Sequence, residues 1–179
     1  MYFFWIIFIY SFLGFLFETL FSYLQTGRLE NRKTMVLLPM CPVYGLSAAV
    51  VIMGSAQIKD RLPLLFAGGV MFASSVEYLY SLFCEKAFKI ILWDYGKSRL
   101  SIDGRVHAVF SVIWGLLTVA LYKYIQPYID RFIGLFGAWQ SAALLTVFFS
   151  DILLTSFILF RYGRRNGDVY GIPAQRLKP

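Results

Sequence analysis

Five stretches of apolar sequence, at about 3–25, 43–58, 64–84, 106–125 and 138–160, constrain this chain more than any other feature. A bilayer core is crossed by about 20 apolar helical residues. In hydrocarbon a backbone must satisfy its own hydrogen bonds, which restricts such a crossing to helix. The stretches therefore predict an all-α, polytopic membrane bundle of about five transmembrane helices. Charge agrees, since only 15% of the 179 residues are Asp, Glu, Lys or Arg, against about 25% in ordinary soluble domains. The chain reads as a single integral membrane domain over 1–179, with the helix bundle at 1–161 and a basic cytoplasmic tail at 162–179. The first stretch is expected to stay as a helix and not to act as a signal peptide. It has no basic start, it is long, and it carries Glu18.

The 17 Lys and Arg residues set the expected orientation. Arg28, Arg32 and Lys33 follow the first stretch, and Lys86, Lys89, Lys97, Arg99 and Arg105 follow the third. Arg161, Arg164, Arg165, Arg176 and Lys178 follow the last. These thirteen fall on one side, and only Lys59, Arg61, Lys123 and Arg131 fall on the other. The positive-inside rule then places the N-terminus outside and the C-terminus in the cytoplasm. The net charge of +7 becomes a topology signal, helped by attraction to anionic headgroups, and the partner it indicates is a lipid bilayer, not nucleic acid. Cys41 and Cys84 both fall near the reducing face, so no structural disulfide is expected. Gly96-Lys97-Ser98 imitates the end of a P-loop, but the glycine required five positions earlier is Ile91. No nucleotide site is read there.

Pro39 and Pro42 interrupt the approach to the second stretch. The segment 35–42 is expected to be an irregular, re-entrant or interfacial piece, with an ordinary loop around a buried proline turn as the equal alternative. The segment 85–104 mixes lysine with Phe88, Ile91, Leu92, Trp93 and Tyr95, which suits the headgroup layer. A faint internal echo is also present. A glutamate, a basic loop and CPVYG in the first half answer to a glutamate, a basic loop and GRVHAVFS in the second. Both halves run in the same direction, so a repeat here would be parallel.

Helical phase, at about 100° per residue, gathers the polar residues onto shared faces. Ser74, Glu77, Ser81, Cys84 and Glu85 fall within about 120° of arc, and Ser11, Gly14, Glu18, Ser22 and Gln25 within about 80°. His107, Ser111, Trp114 and Thr118 share a face of the fourth stretch, and Gln140, Asp151 and Thr155 group in the fifth. An ionisable group at mid-helix costs about 2.5–3.5 kcal/mol on insertion scales and usually faces a cavity and a partner. Glu18, Glu77 and Asp151 lie at similar depth in the cytoplasmic half, with Arg105 and His107 opening the fourth stretch on that side. These five are the expected ligand-binding cluster, with Glu18 or Glu77 paired to Arg105. The structural alternative is that such groups only bridge helices. Cys41, Cys84 and His107 lack the paired spacing of a zinc site, so no metal is expected. The aromatic residues read as lipid-facing or belt residues, and no cofactor is expected. Catalytic residues stay unassigned, because no nucleophile–base pair is evident.

GFLFETLFSYLQTGRLENRK, CPVYG, EYLYSLFCEKAF and WDYGKSRLSIDGRVHAVFSVIWG follow one another along the chain. In this order they resemble the bacterial membrane proteins known as ABC-transporter type IV, or CmpB-like, permeases. The resemblance covers about 14–128. Glu18, Asn31-Arg32, Cys41-Pro42, Tyr44-Gly45, Glu77, Glu85, Trp93-Asp94-Tyr95, Gly104-Arg105 and Trp114-Gly115 sit on the family's motifs. It thereby adds Asn31, Arg32, Tyr44, Trp93 and Asp94 to the expected ligand-binding residues. In the family a glycine often follows Asn-Arg and an asparagine often precedes Gly-Arg; here those positions are Lys33 and Asp103. The resemblance implies a multi-pass permease component in a bacterial plasma membrane, working with a separate ATPase subunit on a substrate it does not name. Five spans are few for alternating access, so a homodimer is the expected assembly. Two alternatives stand beside it: a membrane-embedded enzyme or lipid-binding protein acting on a lipid headgroup, and a structural or assembly protein.

Overall fold

The apolar stretches become helices whose ends follow local chemistry. The structure, a computed structural model, describes residues 1–28 and 33–162 and the backbone of four residues in two short strands beyond them. Helix α1 spans Tyr2–Thr26 and ends at Gly27, whose positive φ of 69° lets its N–H return to the Tyr23 carbonyl. Helix α2 spans Pro42–Ser55, with Pro42 in the first turn, where a missing N–H leaves no helical bond unmade. Helix α3 spans Leu62–Phe88. Strands β1 (Ser101–Ile102) and β2 (Val106–His107) form a hairpin. Helix α4 (Ala108–Ala120) runs through a π-helical turn at Leu121–Ile125 into α5 (Gln126–Ile133). Pro127 accounts for the widened turn, since it has no N–H to donate and its ring crowds the carbonyl four residues back. Helix α6 spans Ala138–Tyr162, and strands β3 (Asp168–Val169) and β4 (Ile172–Pro173) pair after it. Asn31, Arg32 and most of the expected basic tail lie outside the described residues.

Four helices are long and apolar enough to cross a membrane: Tyr2–Thr26, Leu62–Phe88, Ala108–Ile133 and Ala138–Arg161. The expectation of about five complete spans changes at the second, because α2 has 14 residues, or about 21 Å at 1.5 Å per residue. The fourth runs past its expected end at 125, carrying Arg131 on helix instead of loop. Helix α1 packs on α2, α2 on α3 and α3 on α4. Small residues set these contacts. A Cβ on Gly45 would lie 2.2 Å from the Ile7 carbonyl oxygen, and one on Gly69 would lie 2.4 Å from the Thr118 hydroxyl. Close backbone approach of this kind is how helices associate where lipid is as apolar as leucine. Large apolar side chains such as Leu24, Met53, Leu79, Leu116 and Phe157 remain outside the bundle.

What α2 lacks in length is made up by the irregular segment 33–41, which enters the bundle. Its last amide, Cys41 N–H, donates to the Ser11 carbonyl of α1 at 2.9 Å, about fifteen residues before that helix ends. Met35 and Met40 are buried with Phe148 and pack against Phe4, Ile7 and Phe8. Asp151, fully buried, accepts from the Leu37 amide at 3.1 Å and the Leu38 amide at 2.7 Å. Thr155 Oγ1 accepts from the Val36 amide at 3.0 Å. Non-helical backbone survives at membrane depth only where protein satisfies it, and α6 supplies that here. The segment 35–42 is irregular, as expected, up to Pro42, with Met35, Met40 and Cys41 buried and Leu37 and Pro39 exposed, so no buried proline turn forms at Pro39.

A second polar network holds the other end of the bundle. Tyr10 donates to Gln126 at 2.8 Å, Tyr2 donates to Asp130 at 2.8 Å, and the Trp5 indole donates to Ser141 at 2.9 Å.

Replacing Asp151 with alanine should strand two buried amides and cost about 3 kcal/mol. Thermal unfolding in detergent should show a clear fall in Tm for Asp151→Ala. Thr146→Ala, on the exposed side of α6, should melt like the parent.

Candidate functional site

Helices α1 to α4 enclose a cavity of ≈ 380 Å³ in the half of the bundle covered by 33–41 and by the loop after α3. The polar faces of α1 and α3 turn inward as their phase requires, and both Glu18 and Glu77 reach its wall. Glu77 is 6% exposed and accepts from the Trp114 indole Nε1 at 2.9 Å. Glu18 accepts from the Tyr44 hydroxyl. The Tyr44 ring lies against Gly14, where a Cβ would come within 2.3 Å of a ring carbon. Tyr44 and Trp114 meet edge to face, with centroids 5.3 Å apart, so the two carboxylates are held from either side of one aromatic pair.

The halves match in detail. Gly45, following Tyr44, abuts Ile7 and Ser11, eleven and seven residues before Glu18. Gly115, following Trp114, abuts Phe66 and Val70, eleven and seven residues before Glu77. The faint echo in the sequence is thus a repeated hairpin, and its second helix donates to a carboxylate on its first.

The loop after α3 is shaped to cover the cavity. Asp103 and Gly104 both have positive φ, 50° and 68°, and the Arg105 amide closes the turn onto the Ile102 carbonyl at 2.9 Å. Asparagine and aspartate both tolerate this conformation, so Asp103 keeps the turn, and it also accepts from the Tyr78 hydroxyl at 2.8 Å. The Trp93 indole donates to the Arg105 carbonyl and the Tyr95 amide to the Gly104 carbonyl, both at 2.8 Å. These bonds place Trp93 and Tyr95 on the cavity wall. Burial first, then the Glu77 and Glu18 charges, hold the Tyr95 phenol well above its ordinary value and keep it protonated.

The remaining expected residues lie off that wall. Arg105 pairs with Glu85 and stands over the Tyr78 ring at 5.7 Å, in place of the expected pair with Glu18 or Glu77. Sequence phase could not see this exchange, because the hairpin turns Arg105 back towards the end of α3. His107 caps α4. Its Nδ1 accepts from the Val109 amide at 3.3 Å, so Nε2 carries the proton to Ser98, 2.9 Å away. Asp94 accepts from the Gly96 amide at 2.7 Å in an exposed turn. Asp151 belongs to the clamp on 33–41, and Asn31 and Arg32 fall outside the described residues. The sequence reading passes over Trp114 and Tyr95 as site residues, and over Phe17 and Phe110, which also line the cavity. The signals lay in the Trp-Asp-Tyr run and in Trp114 on a polar stripe. Neither cysteine is in a disulfide, and no group of metal-binding residues occurs among the described residues.

Residues 5–157 match the family described as "Putative ABC-transporter type IV". The chain belongs to this family. No curated protein and no solved structure matches it. The match reaches beyond the 14–128 read from motifs into α6, and so takes in Asp151. With its four membrane-length helices, this family member is a multi-pass membrane protein.

Cys41 lines the cavity with its own side chain almost fully buried, and buried structural thiols are poorly reactive. In the Cys84→Ala background, maleimide labelling followed by mass spectrometry should show Cys41 protected in the folded protein and labelled after denaturation.

Proposed function

We propose that this chain is a permease-like component of an ABC transporter in a bacterial plasma membrane, with a separate ATPase supplying the energy. One observation carries the reading: in a member of this family, a partly open cavity with two carboxylates on its wall lies between the helices. Glu18, Tyr44, Glu77 and Trp93 are assigned direct contact with the substrate. Asp94, Arg105, His107 and Asp151 are assigned the positioning of the segments that cover it. Asn31 and Arg32 belong to the proposed set through the family motif alone. The bias of Lys and Arg supports an outside N-terminus and a cytoplasmic C-terminus, which would open the cavity towards the cytoplasm. A homodimer completes the proposal, because so few helices give little room for two alternating gates.

Affinity purification from native membranes should recover an ATPase with this chain, and the complex should hydrolyse ATP faster than the ATPase alone. Glu18→Gln and Glu77→Gln should keep the association and lose substrate stimulation, by about tenfold or more for a contact made in the working complex. Neither association nor stimulation from the parent protein would sink the proposal. A C-terminal fluorescent-protein fusion should glow, as a cytoplasmic C-terminus requires.

A further inference from the structure

We infer that the cavity takes an organic cation, an ammonium group on a free amine or on a lipid headgroup, with Glu18 and Glu77 as its counter-charges. The inference deepens the permease reading and rests on the cavity being the place where substrate is handled. The wall is aromatic to an unusual degree for a site this small: Tyr44, Trp93, Tyr95, Phe110 and Trp114 all contribute to it. Each carboxylate gives one oxygen to an aromatic donor, Glu18 to Tyr44 and Glu77 to Trp114. Their other oxygens have no hydrogen-bond partner among the described residues, although Glu77 is 6% exposed.

The other ligand classes fit worse. No Lys, Arg or His lies on the wall among the described residues, and the nearby Arg105 is engaged by Glu85. Among the described residues an anion would therefore meet two carboxylates and no cation. A neutral apolar molecule would desolvate two acidic groups and leave the second oxygen of each without a partner. A hard divalent metal ion wants six or so converging oxygen ligands, and no cluster of three or more His, Cys, Asp or Glu residues that could hold a metal occurs among the described residues. An ammonium group satisfies both features, since it pairs with carboxylate and is attracted to the faces of Trp, Tyr and Phe. The volume of ≈ 380 Å³ lies at the low end of the usual range for small-molecule sites, about 300–1,000 Å³. It suits one headgroup-sized or arylalkyl ammonium and leaves no room for a whole lipid.

The test uses the purified full chain without an ATPase, titrated with benzyltrimethylammonium and with benzenesulfonate, an anion of similar size. Isothermal titration and tryptophan fluorescence read the binding. The cation should bind saturably and the anion should not. Glu77→Gln and Glu18→Gln should each weaken the cation by about tenfold or more, as loss of a buried counter-charge implies. Asp130→Asn, in the network at the other end, should bind like the parent. Equal binding of both probes, no binding of the cation, or undiminished binding by well-folded Glu variants would overturn the inference. The parent comparison stands even if a Glu variant fails to fold. In nanodiscs, competition by phosphatidylethanolamine assigns the ammonium to lipid, and its absence assigns it to a free amine. Equal competition by phosphatidylglycerol would overturn the cation class. Saturable cation binding with no ATPase partner would remove the permease reading alone. An ATPase complex stimulated by a non-cationic solute, without cation binding, would remove this inference alone.

Discussion

The structure depends on how the non-helical backbone at 33–41 is satisfied inside the bundle. A regular second span would need no outside help, because a helix bonds its own amides. Pro39 and Pro42 rule that out, and the three consecutive amides of Val36, Leu37 and Leu38 must find acceptors elsewhere. Thr155 and Asp151, one turn apart on α6, supply them. A carboxylate is the right group for this task, because one side chain can accept from two neighbouring amides and hydrogen bonds to a charged acceptor are the stronger kind. The buried charge of Asp151, which costs most when it stands alone, is thereby accounted for without a ligand.

That arrangement places the start of α2 deep in the bundle instead of at its edge. Tyr44 consequently stands beside Gly14 and Glu18, within reach of Trp114 on the opposite hairpin. Had α2 begun at the end of α1, its first aromatic residue would lie near Gln25 and the carboxylate would lack its donor. The cavity is thus a product of the broken span. Its floor is where the short helix begins, and its roof is formed by Leu92, Trp93 and Tyr95, the last two held by the turn between β1 and β2.

Much of this is legible in the sequence, and the limits are physical. Block length and phase give the helices and the inward faces of Glu18 and Glu77, since both follow from the geometry of one helix. Fates decided between elements are not legible. Arg105 stands near the bundle mouth in any linear reading, yet a turn with two positive-φ residues sends it to Glu85. Asp151 has the same stripe signature as Glu77, and only the partner segment separates a clamp from a cavity wall. The length of α2 is misread for the same reason, because composition counts apolar residues while prolines decide which of them are helical. Phe17 and Phe110 read as lipid-facing or belt residues because hydropathy does not say whether a ring faces lipid or a cavity.

The two hairpins are alike in plan and unlike at the decisive positions. Gly14 on α1 leaves room for the Tyr44 ring, while the residue four before Glu77, as Gly14 is before Glu18, is Ala73. One carboxylate meets a phenol and the other an indole. A hydroxyl can donate and accept, whereas an indole N–H can only donate. Trp114 therefore demands an acceptor at Glu77 at all times, and Tyr44 does not demand one at Glu18. Glu77 is accordingly buried against its donor, while Glu18 is half-buried on the side of the cavity that Ser22 and Gln25 line. Because the repeat is parallel, the same end of both hairpins faces the same side of the membrane.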